Sequence, residues 1–137
     1  MDRQIIPQAK VELLFLGLEH GVESVRASGG PLTPFVIIER NGKREIARFL
    51  ADQLEEALDK AATYVRSVPL AGADICVLVY DGYMNTSEGK WDTIYAEALD
   101  STGQITIVGQ RYRPRTGQAE FDTIGNPALL PGAHGRL

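Results

Sequence analysis

The sequence predicts an α+β domain in the order α-β-β-α-β-β-β, a five-stranded, mostly antiparallel sheet with two helices. Three observations predict it. Apolar residues recur at three-and-four spacing from Val11 to Val25. Asn41-Gly42 divides two strand-like runs. After residue 73, three strand-like runs follow one another with no helix between them, which argues against a wholly parallel sheet.

In the first helix Val11, Leu14, Phe15, Leu18, Val22 and Val25 make one face, and Leu13 and Leu16 widen it. Pro7 suits a helix start, and Ser28-Gly29-Gly30-Pro31 ends the pattern. Gly17 and Gly21, one turn apart, each weaken the helix by about 1 kcal/mol relative to Ala, a cost that close packing would explain. The hairpin comes next, "PFVIIER" and "KREIARFL" about a turn whose two residues accept positive φ. Asp52 and Glu55 have the spacing of a capping box opening the second helix. Leu54, Leu58, Ala61 and Val65 form its apolar face, and Pro69 and Gly72 stop it. The last three strands are "ADICVLVYDGYM", "KWDTIYAEALD" and "GQITIVGQRYRPR", the second and third joined through Ser101-Thr102-Gly103. Periodicity is lost after Pro114, so residues 1–115 are expected to form one domain and 116–137 an irregular tail.

This element order is similar to that of the profilin-like group, which includes roadblock, longin and PAS/GAF-type domains, over about residues 8 to 115. The resemblance implies an arrangement with the third strand at an edge of the sheet. It is a likeness of topology, and such folds host many functions.

A chain of 137 residues with 44% hydrophobic and 23% charged residues has the composition of a single globular domain. Its net charge of -4 argues against a dedicated nucleic-acid binder. Acids concentrate in residues 50–100, ten Asp/Glu against three Lys/Arg, while 101–137 holds four Arg against two acids. The single cysteine, Cys76, excludes an internal disulfide framework and makes a reducing compartment the default. The N-terminal stretch lacks the apolar core of a signal peptide, and no apolar run is long enough to span a bilayer. A cytoplasmic protein without a membrane partner is the expectation.

Ile75 to Tyr80 is apolar at every position, so both faces of that strand require cover. Placed at a sheet edge, it would invite a second chain. A homodimer through Val77 and Val79, with Trp91 and Tyr95 as aromatic anchors, is therefore expected, although two helices covering opposite faces would also meet the requirement.

Chemical motifs are sparse. The stretch "DGYMNTSEGKWD" fails the calcium-loop template, with Tyr83 at its third position and Thr86 where glycine is needed. A looser oxygen site from Asp81, Asn85 and Glu88 is conceivable, but Asn, Ser and Gly are also what a turn requires. Cys76 sits mid-strand among apolar residues, the setting of an inert thiol. His20 and His134 cannot be tied to it by spacing, and scattered His and Cys make no metal centre. "ASGGP" lacks the lysine of a phosphate loop. Arg111, Arg113 and Arg115 recur at period two, so an extended chain points them to one side, where they could hold an anion or simply guard a strand end. No cofactor or metal is expected, and an enzyme is the less favoured class because no nucleophile or base can be named. The expected function is a non-catalytic interaction or sensory module that binds a protein partner through a sheet edge or helix face. The alternative is a small-molecule site between sheet and helix, lined by Tyr80, Tyr95 and Tyr112.

Overall fold

Two helices take opposite faces of one antiparallel sheet. The computed structural model describes residues 6–117, 119–131 and 135–137; His134 lies outside them. The elements are α1 (Gln8–Ser28), β1 (Phe35–Arg40), β2 (Lys43–Arg48), α2 (Leu54–Ser67), β3 (Ile75–Thr86), β4 (Gly89–Asp100), β5 (Ile105–Arg113) and β6 (Asp122–Leu130). The six strands lie in the order β2-β1-β3-β4-β5-β6, every described pairing antiparallel.

This corrects three expectations. The sheet has six strands, not five: β6 falls in the stretch read from sequence as irregular tail. Gly125, Asn126 and Pro127 hide it, since these types are depleted in strands and tolerated at an edge. Beside it β5 is irregular between Gly109 and Arg111, where the Gln110 amide donates to the Ile124 and Gly125 carbonyls. Second, β3 is interior, bonded to β1 on one side and β4 on the other. It is not the edge that the profilin-like likeness implied, and its apolar run is explained by burial on both faces. Third, Asp52 and Glu55 form no capping box. Gln53 occupies the N-cap and makes no side-chain cap bond, and the Ala57 N–H bonds to its carbonyl.

α1 lies over β3, β4 and β5, and α2 over β1 and β3. Between α1 and the sheet pack Leu14, Leu18, Val25, Ile37, Val77, Val79, Ile94 and Val108. Between α2 and the sheet pack Val36, Leu58, Ala61, Val65, Cys76, Leu78, Tyr80 and Ile107. Gly17 and Gly21 account for the seating of α1. A Cβ at Gly21 would stand 2.8 Å from Val79 Cγ1 and 3.0 Å from Ile94 Cγ2, and one at Gly17 would stand 3.0 Å from Val79 Cγ2. The helix axis therefore approaches the strands more closely than any side chain there would permit. Phe15, expected on the buried face, stays exposed because the glycine stripe turns the helix toward Leu13, Leu14 and Leu18.

Asn41 and Gly42 both adopt positive φ, as the hairpin turn requires. The other hairpin is longer than expected. β3 and β4 pair from Ile75–Asp100 to Thr86–Gly89, so most of the polar "loop" is ladder and the turn shrinks to Ser87-Glu88. The Thr86 hydroxyl organises it, accepting the Glu88 N–H and the Trp91 indole N–H.

Candidate functional site

A hollow of about 260 Å³ opens where the end of α1 meets the β3–β4–β5 end of the sheet. Strand alternation delivers its polar groups. Asp81 follows Val77 and Val79 on the α1 face, and Asp92 precedes Ile94 on that same face. The β3–β4 register sets Tyr83 opposite Asp92, and β5 brings Tyr112 opposite Asp92 from the other side. Gly29, Gly30 and Pro31 close one wall, while Leu54, Tyr83 and Pro114 form an apolar rim. Gly29 and Gly30 take φ of 86° and 80°, which turn the chain sharply off the helix end.

Asp81 is the most constrained carboxylate there. It accepts the Leu32 N–H at 3.0 Å and the Tyr112 hydroxyl at 2.9 Å. Burial raises its pKa above the ordinary carboxylate value, the neighbouring Asp92 charge adds to that, and the two hydrogen bonds work against it. Burial, reinforced by Asp81, pushes the Tyr112 phenol well upward, so it stays a donor. Tyr112 stacks on Phe121 at 5.4 Å, and the Arg26 guanidinium lies 4.8 Å from the Phe121 ring. None of the residues lining the hollow is cationic. Two carboxylates on a partly apolar wall can hold a cation.

The residues expected to act from sequence are dispersed. Val77 and Val79 are fully buried, so they offer no interface. Trp91 and Tyr95 point to the α2 side, Trp91 with the Arg111 guanidinium 5.5 Å from its ring. Tyr80 and Tyr95 stack at 5.3 Å on that side, whereas Tyr112 belongs to the α1 side. No single pocket is lined by the three tyrosines, because period two sends Tyr112 through the opposite face of the sheet. The Tyr80 hydroxyl bonds to buried Glu97, and the Tyr95 hydroxyl donates to the Tyr83 carbonyl at 2.7 Å. The arginines also separate. Arg111 lies over Trp91, Arg113 ends β5 beside Asp122, and Arg115, beyond Pro114, turns to the Arg26 and Ala27 carbonyls at the end of α1. They form no single anion site. Asp81 bonds inward to Leu32 and Tyr112 while Asn85 and Glu88 are exposed, and among the described residues no three His, Cys, Asp or Glu converge as a metal site. Cys76 is free and buried, and burial pushes its thiol up to about 12 despite the Arg40 charge.

Comparison with protein families, with curated proteins and with solved structures finds no match for this chain. Among the described residues no helix is long and apolar enough to cross a membrane. The geometry of the hollow stands by itself.

Asp81 should be detectable in the pH dependence of stability. A carboxyl whose pKa is raised on folding contributes stability that is present below the unfolded value and lost as pH rises through the folded one. Asp81→Asn keeps an acceptor for Leu32 and removes the buried charge. Its melting temperature is expected to exceed that of the parent at pH 7, with the gap closing toward pH 4. A variant less stable than the parent at pH 7 would show that the ionised carboxylate stabilises the fold.

Proposed function

We propose that the protein is a non-catalytic interaction module whose Asp81–Asp92 hollow receives a basic side chain, lysine or arginine, of a protein partner. One observation carries this reading: two carboxylates on neighbouring strands face a hollow with an apolar rim and no cation in its lining. Tyr83, 60% exposed, adds an aromatic ring to the rim, with the Lys90 ammonium 4.1 Å from its centre. The volume is below the roughly 300 Å³ at which pockets for whole small molecules begin, and it suits one extended side chain. The net charge of -4 favours approach of a basic partner.

Self-association along β3 is no part of the proposal, since both edges of that strand are taken. At one edge of the sheet, β2 carries Lys43, Arg44 and Arg48, and a second copy centred on Ile46 would set Arg44 against Arg48. A reducing, cytoplasmic setting belongs to the reading because the one thiol is buried and unpaired.

The test is titration with N-acetyl-lysine amide and N-acetyl-arginine amide, followed by amide chemical shifts. Saturable shifts are expected around Gly82, Tyr83 and Asp92, at an affinity on the order of millimolar. Asp92→Asn should weaken binding about tenfold, the loss of one charge-assisted contact. Equal shifts from N-acetyl-norleucine amide, or binding indifferent to Asp92→Asn, would overturn the proposal.

A further inference from the structure

On the opposite face, α2 covers β1 and β3, while over β4 and β5 lies the segment Gly135-Arg136-Leu137. Its anchor is Glu97 of β4, fully buried, which accepts the Tyr80 hydroxyl. The same carboxylate accepts the backbone N–H of Arg136 at 2.8 and 3.0 Å and that of Leu137 at 3.1 Å. Each residue of the segment is read by a different feature. A Cβ on residue 135 would stand 2.5 Å from both Glu97 Oε1 and Ile107 Cδ1, so any side chain there forces the ends of Glu97 and Ile107 to shift. The Arg136 guanidinium reaches Glu55 of α2 at 2.6 Å, and its carbonyl accepts from Arg66 at 2.9 Å. Leu137 packs against the apolar cluster beneath α2.

A leucine at position 97 would fill this sheet position without needing partners, and a buried carboxylate is costly unless its hydrogen bonds are supplied. Here two of the donors belong to a peptide backbone laid across the strands. We propose that this groove is a peptide-binding site for a glycine–basic–aliphatic element, and that residues 135–137 are its internal occupant, competing with a partner peptide of the same chemistry. The site is on the face away from the Asp81–Asp92 hollow and does not rest on that reading.

Gly135→Val in the full chain should expel the segment, seen as loss of exchange protection at the amides of residues 136 and 137. Acetyl-Gly-Arg-Leu-amide is then expected to bind this variant roughly tenfold more tightly than the parent chain. Acetyl-Val-Arg-Leu-amide should bind more weakly, and adding Glu97→Gln should remove most of the gain. Should Gly135→Val fail to fold, Arg136→Glu, which repels Glu55, serves with the same readouts. Protected amides in Gly135→Val would overturn the reading of residue 135. A folded variant with the segment released and no affinity for the peptide would reduce the segment to a structural cover and overturn the site.

Discussion

Val79→Lys is expected to abolish the native fold. Val79 has no exposed surface, lies in a strand bonded on both sides, and packs under Gly17 and Gly21 of α1. The surrounding cluster on that face is aliphatic, Ile37, Val77, Ile94 and Ala96 among its members. An ammonium placed there has no partner and no path to water, because the glycines leave no gap between helix and sheet. The cost should exceed about 4 kcal/mol, a large share of the stability of a domain this size. Circular dichroism with urea titration at 25 °C should show no cooperative transition. A variant with intact helix content and altered oligomeric state would instead make β3 an accessible surface.

Lys10→Met is the second large effect. Lys10 begins α1 yet is fully buried, its ammonium 2.9 Å from Asp100 and 2.8 Å from the Gln104 carbonyl. It ties the first turn of the helix to the end of β4 and the turn beyond. Methionine keeps the length and apolar stem but takes one donor from the Asp100 carboxylate, which keeps Thr102, for an expected loss of about 2 kcal/mol. The denaturation midpoint should fall with an unchanged slope. Burial pushes the Asp100 carboxyl up, but hydrogen bonds from Thr102 and Lys10 outweigh this and hold it below the ordinary value. A depressed pKa contributes stability above the unfolded carboxylate range that is lost as pH falls through the folded value. The parent chain should therefore lose stability in that acid window more steeply than Lys10→Met. Equal acid sensitivity would assign the Asp100 shift to Thr102 alone.

The elements most legible in the sequence are those with a local cause. Apolar spacing marked α1 and α2, and Asn41-Gly42 marked the first hairpin, because periodicity and positive φ act within a few residues. β6 was not legible, since its pairing with β5 overrides the poor strand propensity of Gly125, Asn126 and Pro127. The apolar run of β3 correctly demanded cover on both faces, but alternation says nothing about which strands flank an edge. The carboxylates of the hollow are eleven residues apart and meet only through the hairpin register. Locating the turn at Ser87-Glu88 would have set Tyr83 opposite Asp92 and put Asp81 on their face. Lys10 and Glu97 carried no signal, because each is a polar residue buried by partners distant in the chain.

A single sheet thickness separates the two apolar layers, and this divides how the sequence can drift. Volume gained or lost at Val77 or Val79 can be compensated from α1, where Gly17 and Gly21 meet them, but not from α2. Changes at Cys76, Leu78 or Tyr80 find their compensation among Leu58, Ala61 and Val65. Neighbouring positions along β3 thus belong to two separate lineages of constraint. Their residues are free to vary independently of one another, while each is bound to a different helix.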